Sequence, residues 1–312
     1  MPPRSPLPRR HGLAAAWVRT PDRDPADPHP WPSMGAWLRH KLAPAGPAVI
    51  EDMLARRAFV YADGSPLHHA DPYTPHTFVW FHRDLRAEPV VPFEVAVLYR
   101  DERIVVVDKP PFLSTIPRGR HVLQSVVVRL RDALDLPELA PAHRLDRLTS
   151  GVLMLTTQQR WRAPYQQLFE HRLVRKTYRA LAPVRPDLEF PREVRNHLVK
   201  RRGSLQAESV PGLPPNARTT IELVEVRDGT GCYRLTPHTG KTHQLRIHLH
   251  ELGIPILGDP LYPVVRDVSI DDFSEPLQLL ADTLTFHDPV DGQLRRFASE
   301  RALDWPAAAG RQ

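Results

Sequence analysis

The sequence predicts an α+β fold: a mostly antiparallel mixed central sheet with flanking helices, preceded by a small N-terminal α/β appendage. Three observations carry this expectation. "TTIELVEVRDGTGCYRLTP" (219–237) alternates on both sides of Asp228-Gly229-Thr230-Gly231 and reads as a hairpin. The helical patterns stand apart from one another, separated by strands. The regular strand–helix–strand alternation of a parallel α/β sheet is absent. A length of 312 residues fits about two domains.

Taken in order, residues 1–30 are rich in proline and arginine, have no core-forming pattern and read as a disordered tail. "GLAAAWV" within them is too short for a signal peptide, and Arg19 follows at once. Residues 31–90 read as a small domain: two short helical patterns, a strand–turn–strand in "FVYADGSPL" around Asp63-Gly64, and a further strand in "HTFVWF". Residues 84–94 read as a linker. The remainder, 91–312, opens with "VAVLYRDERIVVVDKPP", two β-rich runs joined at Arg100-Asp101-Glu102 and ended by Pro110 and Pro111. Val122, Val126, Leu130 and Leu134 recur every four residues and predict a helix over 121–134. "GVLMLTT" reads as a short buried strand, and "QRWRAPYQQLFEHRLV" as a helix interrupted near Pro164. "KTYRALAPV" reads as a strand. Residues 185–216, with Lys200, Arg201 and Arg202, read as an extended loop. In "HTGKTHQLRIHLHELG" Thr242 is the expected helix cap, Leu245, Leu249 and Leu252 the apolar face, and Gly253 the stop.

Lys and Arg total 42 against 36 Asp and Glu, a net charge of +6 that favours an anionic partner such as nucleic acid. Hydrophobic residues are 41% and charged residues 25%, enough for a substantial core. The single cysteine, Cys232, excludes a disulfide framework or a cysteine-based zinc site within one chain and suits a reducing compartment. No apolar run is long enough to span a bilayer, so the expectation is a cytoplasmic protein without a membrane partner.

The chemistry concentrates in "AHRLDRLTSGVLML" (142–155), where one carboxylate, Asp146, stands between Arg144 and Arg147. A carboxylate held ionised by a neighbouring guanidinium can serve as nucleophile or base. On a strand Arg144 and Asp146 would share a face; in a loop they would not. Gly151 would allow a close turn, with Thr149 and Ser150 satisfying backbone groups. On local chemistry alone a solvated charge cluster is as good a reading.

"HRLDRLTSG" resembles the signature of the RluA-type RNA pseudouridine synthases. "YRDERIVVVDKP" (99–110), "KTYRA" (176–180) and "GKTHQLRIHLHELGIPILGDPLY" (240–262) are similar to that family's other motifs, in the same order. The resemblance spans roughly 95–300. It departs at Lys241, where arginine is more usual, and at Phe112, near where the family often has glycine. It implies the pseudouridine synthase fold, RNA as partner, no cofactor, no metal and no obligate protein partner. Isomerisation of uridine to pseudouridine in ribosomal or transfer RNA is the implied activity. Asp146 would attack the anomeric carbon of a flipped uridine or take a sugar proton. Arg246 would pair with Asp146, and Tyr178 would lie against the uracil. The implied substrate-binding residues are Arg144, filling the space of the extruded base or holding a phosphate, with Lys241 as a phosphate contact, and His143, Thr149 and Lys109. The small domain is weakly similar to a ribosomal-protein-type RNA-binding domain, with Arg39, Lys41, Arg56 and Arg57 as its basic candidates.

Two rivals follow from the same residues. One is a non-enzymatic RNA-binding protein on this fold. The other is a metal-dependent hydrolase built on His238, His243, His248 and His250, although a helix would turn His243 and His248 to different faces.

Overall fold

The computed structural model describes residues 3–10, 12–22, 31–85, 87–119 and 121–307. The chain divides into two compact units, Met1–Ala87 and Glu88–Gln312. In the first, β1 (Ala16–Arg19), α1 (Met34–Lys41), α2 (Pro47–Ala55), β2 (Phe59–Val60) and β3 (Phe78–Phe81) follow in order. The strands form one antiparallel sheet, β1-β3-β2. Ser33 caps α1 by accepting a hydrogen bond from the Ala36 N–H, and Pro47 opens α2 at a position where its missing N–H costs nothing. Trp37, Leu38, Ile50, Met53 and Phe59 form the core of this unit.

β1 overturns part of the expected disordered tail. Val18 packs against the core on one face of the strand, and four residues pair with β3, so Ala16–Arg19 is built into the sheet. Residues 23–30 of that expectation lie outside the described residues. Two of the basic candidates are already engaged: Arg39 pairs with Glu51, and Arg56 with Asp52 at 2.9 Å and with Asp84.

The second unit is built on β4 (Ala96–Arg100), β5 (Ile104–Lys109), β6 (Ala140–Pro141), β7 (Ser150–Thr156), β8 (Arg175–Pro183), β9 (Arg192–Asn196), β10 (Leu198–Val199), β11 (Glu208–Ser209), β12 (Ala217–Arg227), β13 (Thr230–Pro237), β14 (Leu279–His287) and β15 (Leu294–Ala298). Its helices are α3 (Val126–Ala133), α4 (Gln159–Glu170) and α5 (Gln244–Glu251). The large sheet runs β4-β5-β7-β14-β8-β13-β12-β9, with β15 against β14 and β6 against β7. Every pairing is antiparallel except β7 with β14. The α+β expectation of a mostly antiparallel mixed sheet therefore holds. The β12–β13 turn is Asp228-Gly229, both at positive φ (45° and 78°), as a two-residue hairpin loop of matching twist requires.

Four local expectations differ. Residues 185–216 are not one loop, because β9 completes the sheet edge and β10 pairs with β11. α4 runs unbroken through Pro164, which withdraws one backbone donor and leaves the buried stripe of Tyr165 and Leu168 intact. Thr242 does not cap α5: His243, at φ 58°, is the cap residue and has no side-chain capping bond. Gly151 is not a turn residue. It lies inside β7 at φ 106°, and a Cβ there would sit 2.2 Å from the Ala281 carbonyl oxygen of β14.

That close approach positions the site. Ala281 of β14 is in register with Gly151 on one side and Tyr178 of β8 on the other. Tyr178 therefore stands level with the start of β7, directly after the loop that carries Asp146.

Candidate active site

The Asp146 loop links β6 to β7 and is irregular, so Arg144 and Asp146 do not share a strand face. Its backbone is pinned instead. Thr115 Oγ1 donates to the Leu145 carbonyl at 2.8 Å and accepts from the Leu145 N–H at 3.1 Å. Lys109 Nζ donates to the Arg147 carbonyl at 3.1 Å, and the Thr149 N–H to the Asp146 carbonyl at 3.2 Å. Leu145 and Leu148 are buried in the core on either side of the carboxylate. Asp146 is thus held up from an anchored base, its side chain 41% exposed, in a cleft of about 1180 Å³.

The cleft is walled by the Asp146 loop, the segment 114–118, the start of β8 with Lys176 and Tyr178, and residues 236–246. Burial and the negative charge of Asp146 push the Tyr178 phenol up, so it stays protonated at neutral pH. Burial pushes the Lys176 ammonium down. Arg144 is exposed at the cleft, and Lys241 and Thr149 line it. Arg147 also lines it, with its Cζ 5.9 Å from the centre of the Phe112 ring.

Three residues are placed differently from expectation. Arg246 lines the cleft, but its guanidinium is taken by Asp259, not Asp146: Nε to Oδ2 at 2.7 Å and Nη2 to Oδ1 at 2.5 Å. The cause is local, because the Leu261 and Tyr262 N–H groups also bind Asp259 Oδ1 and fix that carboxylate under α5. Lys109 is wholly buried and does not line the cleft. Its ammonium donates to the carbonyls of Pro110, Leu113 and Arg147, so it holds the loop from within the core. Burial pushes its pKa well down, opposed by the charge of Asp146. His143 touches the cleft wall, but its Nε2 accepts from the Met154 N–H at 3.2 Å and its ring stacks on Phe169 at 4.4 Å. Burial and the nearby Lys176 lower its pKa to about 3, which keeps the ring a neutral acceptor. It is a brace for the loop.

His243 lies near Asp146, its Nε2 4.0 Å from Oδ2 and beyond hydrogen-bond reach. Burial and then the Arg246 charge lower His243 to about 4 against the opposing pull of Asp146, so the ring is neutral at pH 7. Its Nδ1 is 3.0 Å from the Tyr262 hydroxyl. Among the histidines read as a metal cluster, His238 bonds Thr220, His248 bonds Asn196, and His250 lies beside the Tyr262 ring. They diverge, and among the described residues no three His, Cys, Asp or Glu side chains are grouped to hold a metal ion. Reading the sequence did not find Thr115 or the pairing role of Asp259. Thr115 carries no signal beyond an ordinary loop threonine; Asp259 stands in the third motif, where a lone buried-segment carboxylate invites a cationic partner.

Residues 103–251 match the family model described as RNA pseudouridylate synthase. The Dual-specificity RNA pseudouridine synthase RluA of Haemophilus ducreyi is 30% identical over 230 residues, 68% of this chain and 95% of that protein. The protein of the same name from Salmonella typhimurium is 31% identical over 215 residues, 65% of this chain and 91% of its own. Among solved structures, Human RNA Pseudouridylate Synthase Domain Containing 4 superposes with a TM-score of 0.52 at 25% identity, covering 67% of this chain and 88% of that one. The relatives are synthases, so the non-enzymatic alternative is not favoured. The chain belongs to the RluA-type RNA pseudouridine synthases and is an enzyme that isomerises uridine to pseudouridine in RNA.

Proposed function

We propose that Asp146 carries the isomerisation, acting on a uridine flipped out of ribosomal or transfer RNA into the cleft. The observation that supports this is a solvent-reachable carboxylate on an immobilised loop, level with Tyr178 in a basic cleft. Asp146 either attacks C1′ of the ribose or removes a sugar proton. Either route breaks the N1–C1′ bond and lets the uracil turn; C5 then bonds to C1′ as the Asp146–C1′ ester bond breaks, or, on the proton-abstraction route, as Asp146 returns the proton to the sugar. The C5 proton then leaves and N1 gains one, so reactant and product have the same composition. No oxidant, reductant or energy source is needed.

Tyr178 lies against the uracil face, and its protonated phenol adds no second negative charge beside Asp146. Arg246, fixed by Asp259, supplies positive charge to the cleft as an oriented field and not as a direct partner of Asp146. Arg144 and Lys241 face the incoming strand and contact phosphates or fill the space the base vacates. Ribosomal and transfer RNA targets would suit a cytoplasmic enzyme; no helix among the described residues is long and apolar enough to cross a membrane.

Asp146→Asn tests the assignment. The expected result is loss of pseudouridine formation in a chemical-mapping assay on ribosomal and transfer RNA, with thermal stability and RNA affinity nearly unchanged. Product at a rate near that of the unaltered enzyme would overturn it.

A further inference from the structure

The first unit carries a surface that the catalytic cleft does not use. In β1 and β3 the side chains alternate. Val18, Val79 and Phe81 point into the core with Trp37 and Phe59, while Trp17, Arg19, Phe78 and Trp80 share the opposite face. Trp17 is 45% exposed on that face. It stands across from Trp80, with ring centres 6.5 Å apart, and 5.4 Å from the ring of Phe78. Arg19 lies across from Phe78 with its Cζ 5.6 Å from the ring centre, and its Nη2 donates to His76 Nδ1 at 2.9 Å. Trp80 is 4% exposed, and its Nε1 has no hydrogen-bond partner among the described residues. Arg10, also exposed, adds a second cation, close enough for its charge to act on His82 just beyond β3. Asp22, 3.3 Å from His76, is the acidic group beside the patch.

We propose that this sheet face is a base-stacking platform for an unpaired stretch of the RNA that the enzyme modifies. An exposed indole beside a second aromatic ring and a guanidinium offers a π-surface to a nucleobase and a charge to its phosphate. An apolar protein partner would bury the indole but would also have to take the exposed Arg19 guanidinium out of water. Nothing in the core of the unit requires a tryptophan at position 17, since the strand is anchored through its other face. The proposal rests on RNA being the substrate and is independent of which residue carries out the isomerisation.

The test uses the full chain with Trp17→Ala, Trp17→Phe and Arg19→Gln, and reads affinity for a labelled oligouridylate and for the modified RNA. Trp17→Ala is expected to weaken both by about tenfold, while Trp17→Phe keeps most of the binding. Arg19→Gln is expected to weaken binding and reduce its salt dependence by about one counterion. The rate at saturating RNA should stay at the unaltered value for all three. Asp146→Asn, made alongside, should keep full platform affinity, so failure of the catalytic assignment leaves this measurement readable. Unchanged affinity in folded Trp17→Ala overturns the proposal. So does a change of that variant in sedimentation alone, which would make the face a contact between copies of the chain.

Discussion

At the scale of the residue, the pairing of Arg246 with Asp259 sets what the site can offer. Their side chains are 3% and 1% exposed, and the two contacts form a fork that a lysine could not reproduce. Asp259 Oδ1 also accepts from two backbone N–H groups, so both carboxylate oxygens are engaged. Removing the charge from one partner of a buried pair is far more damaging than the pair itself is stabilising, because the other charge is left desolvated. Asp259→Asn is therefore expected to lower stability by about 3–5 kcal/mol, read by urea unfolding. The surviving folded fraction should also turn over more slowly, because Arg246 is no longer fixed in the cleft wall. A variant as stable and as active as the original would show that Arg246 is held by other groups.

At the scale of the element, the Asp146 loop depends on a neighbour that local sequence does not announce. Thr115 satisfies both the N–H and the carbonyl of Leu145, and both lie away from water. Thr115→Val keeps the shape but leaves those two backbone groups unpaired, at a cost of about 1–3 kcal/mol each. The expected signature is a fall in kcat larger than any change in KM, since the loop positions Asp146 and Thr115, although part of the cleft wall, is itself buried; an unchanged kcat would sink the positioning role. The same distinction between local and distant causes decides what was legible beforehand. The β12–β13 hairpin and β5, β7 and β8 could be read because alternation and turn residues are local signals. Asp146, Tyr178 and Arg246 could be located because the motifs carry them. The Arg246 partner could not be read, since Asp259 lies thirteen residues on and reaches it only after the chain folds under α5. Gly151 was legible as special but not for its reason, which is a strand 130 residues away approaching within 2.2 Å of where a Cβ would be. Phe112 takes a positive φ of 64°, the backbone that favours glycine, and is retained because its buried ring stacks on Phe93 and meets Phe273. That packing outweighs a backbone cost of about 1–2 kcal/mol.

At the scale of the whole molecule, the response to acid follows from histidines buried in their neutral form around the sheet. His248 joins α5 to the edge strand β9. Asn196 Nδ2 donates to Glu251 at 2.7 Å, which turns its Oδ1 toward His248 Nε2 at 2.8 Å and makes that nitrogen the N–H donor. The other ring nitrogen, Nδ1, is buried with no partner among the described residues, so a proton added there would bring a charge and a donor into a place with no acceptor. Burial accordingly lowers His248 to about 4. His243, at about 4, and His143, at about 3, are shifted the same way. The unfolded chain takes up protons near its ordinary pKa of about 6.5, and the folded chain does so only well below that. Between these values the unfolded state binds more protons, so stability rises with pH, and acid removes it progressively from about pH 6.5 downward. The melting temperature is therefore expected to fall measurably between about pH 7 and about pH 5, before most carboxylates titrate. His248→Gln, whose side-chain amide can still donate to Asn196, should flatten that fall while lowering the melting temperature at neutral pH only modestly. Parallel curves for the variant and the original enzyme would mean that His248 already carries its proton in the fold, and that the acid sensitivity arises elsewhere.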